Sequence, residues 1–124
     1  MNALLVVLGA VIGAPARYVV DVYLQSRHRT AFPWGTFTVN VIGATVLGSV
    51  AGALSVGRGP TWLMTAVGTG FCGAFTTFSA FSAETVRLID AGRTMTALTN
   101  VVASVLVGFA GCAAAFSVAA RLLP

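Results

Sequence analysis

The chain has 124 residues, of which 57% are apolar and only 8% carry a charge. A soluble domain of this size needs a polar surface, because a small domain exposes a large share of its residues. Seven arginines and three carboxylates are too few to provide one. The net charge of +4 comes from scattered arginines, which argues against a nucleic-acid partner. The sequence therefore predicts an integral membrane protein.

Four apolar stretches are long enough to cross a bilayer as helices, which takes about 20 residues each. Short polar connections at residues 25–30, 57–60 and 90–93 separate them. We expect an all-α fold with a single transmembrane domain over residues 1–124, so that the function resides within the membrane. The predicted spans are Ala3–Tyr23, Gly35–Val56, Thr61–Ile89 and Met95–Leu122.

The loop arginines indicate how the chain inserts. Arg27, Arg29 and Arg93 lie in loops one and three, whereas Arg58 lies in loop two and Arg121 near the C-terminus. Cytoplasmic loops carry the excess of positive charge. The bias towards cytoplasmic odd-numbered loops is small and permits insertion in both directions.

Glycines four residues apart are typical of closely packed membrane helices. Gly9 and Gly13 form one such pair, and Gly48 and Gly52 form another. Small residues let helix backbones approach each other where lipid provides no hydrophobic driving force. Four short helices enclose little interior, so we expect a homo-oligomer.

Residues 70–82, within the third span, have an unusual composition of two glycines, four hydroxyl residues and four phenylalanines. Glycine and threonine are poor helix formers, and hydroxyls compete for backbone hydrogen bonds. This favours an interrupted helix, whose free carbonyls can coordinate a cation such as Na⁺. The alternative is a continuous helix whose hydroxyls bond to preceding carbonyls.

Phe75, Phe78 and Phe81 recur every three residues in this segment. Such a stripe is usually a packing feature. The edge of an aromatic ring nevertheless carries partial positive charge, so edge-on rings can contact a small anion.

Two polar stripes follow helical spacing. Thr36 and Asn40 lie on one face of the second span, and a second stripe runs along the fourth span. Their N–H and O–H donors suit an anion that must shed water, and we expect no buried carboxylate to accept from them. The alternative role is hydrogen bonding between helices. The second stripe consists of Thr96, Asn100, Ser104, Gly108 and Cys112.

Two charged residues lie inside or near the spans. Arg17 lies on the face of Gly9 and Gly13, with Asp21 one turn further on. It either attracts anions to a vestibule or pairs with Asp21 while reaching towards the interface. We expect Glu84 to lie close to the membrane interface.

Three blocks of sequence resemble the Fluc/CrcB family of fluoride channels. Residues 13–18 resemble its first-helix motif GAxxRY, and residues 35–43 resemble GTxxVNxxG of its second helix. Residues 70–84 resemble GFxGxxTTFSTFSxE, which is the most specific of the three. Together with the polar stripe of the fourth span, the resemblance covers nearly the whole chain.

The resemblance implies an antiparallel, dual-topology homodimer of four-helix subunits in a bacterial inner membrane. It implies two fluoride pores, a broken third helix and one central structural Na⁺ bound by the carbonyls of Gly73 and Thr76. Arg17 would be the vestibule cation. The pore residues would be Thr36, Asn40, Thr77, Phe78, Phe81 and Ser104.

Some positions depart from the family pattern. Asn100 stands where the family often has Tyr, and Gly108 stands where it can have Ser. Ala74 and Ala80 replace a frequent Gly and Thr. The departures in the fourth span leave the roles of Asn100 and Gly108 open.

Three other functions are compatible with a small membrane protein. A dual-topology multidrug exporter needs a membrane-buried carboxylate, but the first span offers only Asp21, beside Arg17. An enzyme needs clustered acids, bases or metal ligands, whereas Asp21, Glu84 and Asp90 are dispersed. A non-catalytic assembly subunit would not conduct ions on its own. We therefore expect a channel and no enzymatic activity.

Overall fold

The computed structural model describes residues 2–122, so that residues 1, 123 and 124 of the predicted domain lie outside the described part. This part consists of helices and loops and contains no strand, which confirms the all-helical class. Helical segments occupy all four predicted spans. They are α1 (Asn2–Arg27), α2 (Trp34–Ser55), a π-helix (Met64–Cys72) followed directly by α3 (Gly73–Phe75), α4 (Phe78–Asp90) and α5 (Thr94–Leu122).

Helices α1, α2 and α5 are each long and apolar enough to cross a membrane. Their ends agree with the predicted spans within one or two residues, except that α1 continues one turn beyond Tyr23. In that extra turn the Arg27 guanidinium lies over the Tyr23 ring, 5.0 Å from its centroid. Through this cation–π contact, the charged side chain at the end of α1 packs against an aromatic ring of the same helix.

The third predicted span, Thr61–Ile89, is divided into several segments. Thr76 has φ −80° and ψ 162°, and Thr77 has φ −151° and ψ 119°, so both residues are extended. The Thr76 hydroxyl donates to the Cys72 carbonyl at 2.8 Å, and the Thr77 hydroxyl accepts from the Ala80 N–H at 3.2 Å. The two threonines therefore end one helix and cap the next.

The helices pack at short range where glycine replaces a side chain. A Cβ added to Gly48 would overlap the Cys112 carbonyl oxygen, and one added to Gly13 would lie 2.5 Å from the Phe71 carbonyl oxygen. Glycine thus brings α2 against α5, and α1 against the π-helix. The segment after the π-helix contacts both α1 and α2.

Aromatic side chains cluster where α1 ends and α2 begins. The His28 and Trp34 rings stack at 5.1 Å, and Phe32 contacts both Trp34 and Phe37. Trp34 also donates through Nε1 to the Thr30 hydroxyl at 2.9 Å. Aromatic rings with a polar tip are typical of the membrane–water interface, so this cluster marks one end of the bundle.

We expect Gly48→Ala to destabilise the fold by about 1–3 kcal/mol, because the new methyl group must push α5 away from α2. The measurement is the thermal unfolding midpoint in detergent micelles. Gly108→Ala is the matched control, since a Cβ added to Gly108 meets no atom within 4 Å. Equal midpoints for the two variants would contradict close packing at Gly48.

Candidate functional site

A cavity of about 480 Å³ lies beside the extended residues of the third span, between α2, α4 and α5. It brings together seven of the nine site residues predicted from the sequence, whereas Arg17 and Thr36 are not part of its lining. Both polar and aromatic side chains face this space. The seven residues are Asn40, Gly73, Thr76, Thr77, Phe78, Phe81 and Ser104.

Asn40 bonds to the backbone of the interruption twice. The Thr77 N–H donates to Asn40 Oδ1 at 2.8 Å, and Asn40 Nδ2 donates to the Thr77 carbonyl at 3.1 Å. A primary amide has two N–H donors, so one N–H of Asn40 remains for a further acceptor. Gly43, one turn further along α2, lies directly against the Thr76 methyl group. A Cβ at Gly43 would overlap that methyl group.

Arg17 contacts the same interruption from the side of α1. Its Nη1 donates to the Thr76 carbonyl oxygen at 3.3 Å, and the residue is half-buried. The sequence left two roles open for Arg17, an anion vestibule or a pair with Asp21. The structure adds a third, in which the guanidinium satisfies a carbonyl that the interrupted helix leaves without its usual donor.

The three phenylalanines of the stripe separate at the interruption. Phe75 is buried and stacks on Phe71, with centroids 5.2 Å apart. Phe78 and Phe81 lie on α4, with centroids 5.8 Å apart and planes at 42°. Phe78 is 78% exposed, so the cavity is open on that side. Phe75 is therefore a packing residue, while Phe78 and Phe81 form the aromatic wall of the cavity.

The polar stripe of α5 meets α4. Asn100 is completely buried and donates through Nδ2 to the Thr85 hydroxyl at 2.9 Å. Ser104 donates to Asn100 Oδ1 at 3.3 Å and also lines the cavity. The stripe thus forms a hydrogen bond between helices, the alternative considered from the sequence, and also supplies a hydroxyl to the cavity.

Thr36 and Glu84 correct one expectation from the sequence. The expectation that no buried carboxylate meets the polar stripes was wrong, because Thr36, 2% exposed, donates to Glu84 Oε1 at 3.1 Å. Helix α4 packs its Glu84 side against α2, one turn away from Asn40. The other oxygen, Glu84 Oε2, is buried and has no hydrogen-bond partner within residues 2–122.

A second cavity, of about 290 Å³, lies at the end of the bundle where loop one meets the end of α4. Glu84, Arg87 and Arg93 line it, together with Gln25. Arg93 entered only the prediction of membrane orientation, and neither arginine was predicted to line a site. Glu84 and Arg87 are three residues apart and therefore lie on one helix face. This spacing is the sequence pattern that could have identified them as neighbours in a site.

The oxygen atoms around the interruption fit the Na⁺ that the family resemblance implies. Because the Thr77 N–H bonds to Asn40, the Gly73 carbonyl lacks the donor it would have in a continuous α-helix. Neutral carbonyl oxygens are suitable ligands for a hard cation. The described residues contain no group of three His, Cys, Asp or Glu side chains that could hold a metal.

Comparison with known proteins identifies the family. The model of the family described as "CrcB-like protein, Camphor Resistance (CrcB)" matches residues 4–116. The chain belongs to the CrcB family. This confirms the resemblance drawn from the three sequence blocks, and it makes the protein a multi-pass bacterial membrane protein.

Relatives within the CrcB family are similar over most of their length. A "Fluoride-specific ion channel FluC 1" of Frankia casuarinae is 51% identical over 118 residues, which cover 91% of this chain and 92% of that protein. One of the same name from Nocardia farcinica is 46% identical over 124 residues, covering 100% and 84%. A "Fluoride-specific ion channel FluC" of Bordetella petrii is 43% identical over 99 residues, covering 79% and 75%. All three are named as ion channels, in agreement with the expectation of a channel rather than an enzyme.

In this CrcB protein, we expect Asn100 and Thr85 to be energetically coupled through their hydrogen bond. A double-mutant cycle with Asn100→Leu and Thr85→Val should give a coupling free energy of about 0.6 kcal/mol, and no more than about 1.7 kcal/mol. The measurement is equilibrium unfolding in mixed micelles. Thr99→Val replaces Thr85→Val in the control cycle, because the exposed Thr99 bonds only to Met95 of its own helix. Equal coupling in the two cycles would contradict the bond.

Proposed function

We propose that this CrcB protein is a passive, fluoride-selective channel that exports F⁻ from the cytoplasm. Two lines of support converge. Relatives that match most of the chain are named fluoride-specific ion channels. The observation that carries the proposal is the cavity beside the interruption, where neutral donors and aromatic rings face one space without a carboxylate in the lining.

Fluoride is small and strongly hydrated, so a pore must replace its water with donors at close range. Asn40 contributes the N–H that Thr77 does not use, whereas the Ser104 O–H serves an anion only when it leaves Asn100 Oδ1. Hydroxyl and amide hydrogens are neutral donors, which stabilise an anion without trapping it as a buried cation would. Conduction requires binding that is strong enough for dehydration and weak enough for release.

Phe78 and Phe81 form the second class of anion contact. Both rings line the cavity, with their planes inclined at 42° to each other, and we propose that their edges contact the anion. Ring hydrogens carry partial positive charge, so edge-on rings stabilise an anion without a strong hydrogen bond. Rings of this kind extend the pathway beyond the reach of Asn40 and Ser104.

The central Na⁺ is part of the proposal. The Gly73 and Thr76 carbonyls would hold it, with the Thr76 oxygen already in contact with Arg17. A bound cation supplies fixed positive charge, which offsets the cost of bringing an anion into a medium of low dielectric constant. Its ligands are neutral, so the full charge of the ion is available to the surroundings.

The functional unit that we propose is an antiparallel homodimer with dual topology and two pores. Phe78 and Gly73 are exposed at the cavity, and a second copy would close it on that side. The small difference in loop arginines between the two ends supports insertion in both directions. The remaining exposed apolar surface, including Phe109, faces the lipid bilayer.

The cavity at the bundle end provides an access route. Arg87 and Arg93 outnumber the single carboxylate in its lining, Glu84, and the net positive charge raises the local concentration of anions. Glu84 lies between this cavity and Thr36, and the hydrogen bonds of Thr85, Asn100 and Ser104 continue towards the central cavity. We propose that this cavity, rather than the position of Arg17, is the vestibule.

The alternative of a small multidrug-type cation exporter has one observation in its favour, the half-buried Glu84. Proton-coupled exchange needs a carboxylate that the transported cation can reach. Glu84 instead lies in a cavity with Arg87 and Arg93, where a cation is repelled. Membership of the CrcB family favours the channel further.

We expect Phe81→Ile to lower fluoride efflux from liposomes at least about tenfold, which corresponds to a barrier increase of about 1.4 kcal/mol. Isoleucine keeps the apolar volume but removes the ring edge. Asn40→Asp should reduce efflux as well, because a carboxylate repels the anion. A fluoride electrode measures the flux, and size-exclusion chromatography checks that the dimer is intact.

Phe109→Ile is the matched control, because Phe109 is exposed on α5 and does not line the cavity. It should leave the flux within about twofold of the wild type, a change of about 0.4 kcal/mol in the barrier. Wild-type flux from both Phe81→Ile and Asn40→Asp would contradict the assignment of the pore. A wild-type protein that does not conduct fluoride would contradict the proposed function itself.

A further inference from the structure

The interruption between α3 and α4 leaves backbone groups that need new partners. In a continuous α-helix the N–H of Thr77 would donate to the Gly73 carbonyl, and that of Ala80 would donate to the Thr76 carbonyl. Here these donors bond to Asn40 Oδ1 and to the Thr77 hydroxyl instead. Unsatisfied backbone groups are costly inside a membrane, so the replacement partners decide whether the interruption is stable.

Asn40 is the replacement partner that comes from another helix and serves both polar groups of one residue. Its amide accepts from the Thr77 N–H at 2.8 Å and donates to the Thr77 carbonyl at 3.1 Å. This is the pairing that a neighbouring strand would offer to an extended residue. A side-chain amide provides it without a second strand, because its C=O and NH₂ lie in one plane.

We infer that Asn40 is a positioning residue, which holds Thr77 in its extended conformation and thereby keeps the Gly73 carbonyl free. The polar atoms of the Asn40 side chain therefore have two separate roles. One N–H and the carbonyl oxygen of Asn40 hold the backbone, and the second N–H remains for the pore. The ion-binding part of this inference rests on the proposed function, whereas the part that concerns the backbone does not.

The geometry around Asn40 supports this role. Gly43 follows Asn40 by three residues and removes the side chain that would strike Thr76, so α2 can approach the interruption. On the opposite side, Arg17 donates to the Thr76 carbonyl at 3.3 Å. The two extended residues are therefore held from α1 and from α2.

The test is hydrogen exchange of the Thr77 amide, observed by NMR of ¹⁵N-threonine-labelled protein in micelles. In Asn40→Leu, which has the same number of side-chain heavy atoms and similar branching but no amide, this exchange should accelerate at least about tenfold, as expected when a hydrogen bond is lost. Ser49→Ala is the control on the same helix, because the Ser49 hydroxyl bonds only to the Thr45 carbonyl of its own helix. The Thr77 amide should exchange at the wild-type rate in that variant.

Asn40→Asp keeps the acceptor of the side chain but removes both of its N–H donors, and it serves if Asn40→Leu does not fold. The carboxylate still accepts from the Thr77 N–H but cannot donate to the Thr77 carbonyl, so exchange should accelerate by about threefold, less than in Asn40→Leu. Fluoride efflux should nevertheless fall. Thr77 exchange at the wild-type rate in a folded Asn40→Leu, or in Asn40→Asp, would overturn the inference.

The ion-binding part has a separate readout. Replacing N-methylglucamine by Na⁺ should raise the unfolding temperature of the wild type, as any ligand of the native state does. Asn40→Leu should lose this increase, and Ser49→Ala should keep it. A full Na⁺ response in Asn40→Leu would overturn the link to the Gly73 carbonyl. If the wild type conducts fluoride but its unfolding temperature does not respond to Na⁺, the link to the Gly73 carbonyl is overturned. The proposed channel function is then unaffected.

Discussion

The hydrogen bonds of two extended threonines are the constraint on which the rest of the structure depends. A chain that leaves the helical conformation inside a bilayer must find a new partner for each backbone N–H and C=O, because lipid supplies none. Thr76 and Thr77 satisfy part of this need with their own hydroxyls. Asn40 and Arg17 supply the rest from the two neighbouring helices.

These same bonds shape the candidate pore. Because the interruption separates α4 from α3, Phe75 remains in the packed interior while Phe78 and Phe81 line the cavity. The glycines of α1 and α2 allow the close approach that brings Arg17 and Asn40 within reach. The same contacts therefore stabilise the fold and shape the proposed conduction pathway. This explains how four short helices can contain such a pathway.

Much of this arrangement was predictable from the sequence. The lengths of the apolar stretches predicted the spans formed by α1, α2 and α5, and the glycine and threonine residues predicted an interrupted helix near residues 70–82. Pairwise contacts were not predictable, because periodicity describes one helix at a time. Thus Asn40 was identified as a donor but not as a partner of Thr77, and neither the contact of Arg17 with the Thr76 carbonyl nor the bond from Thr36 to Glu84 was foreseen.

The backbone conformation at Thr76 and Thr77 can be measured directly by solid-state NMR of ¹³C,¹⁵N-labelled protein in lipid bilayers. Extended residues shift Cα and Cβ resonances in the opposite direction from helical ones, and Thr45 in the middle of α2 provides a helical reference. We expect extended-type shifts at both threonines and helical shifts at Thr45. Helical shifts at Thr76 and Thr77 would show a continuous third span and contradict the interruption on which the cavity, the carbonyl site and the role of Asn40 all depend.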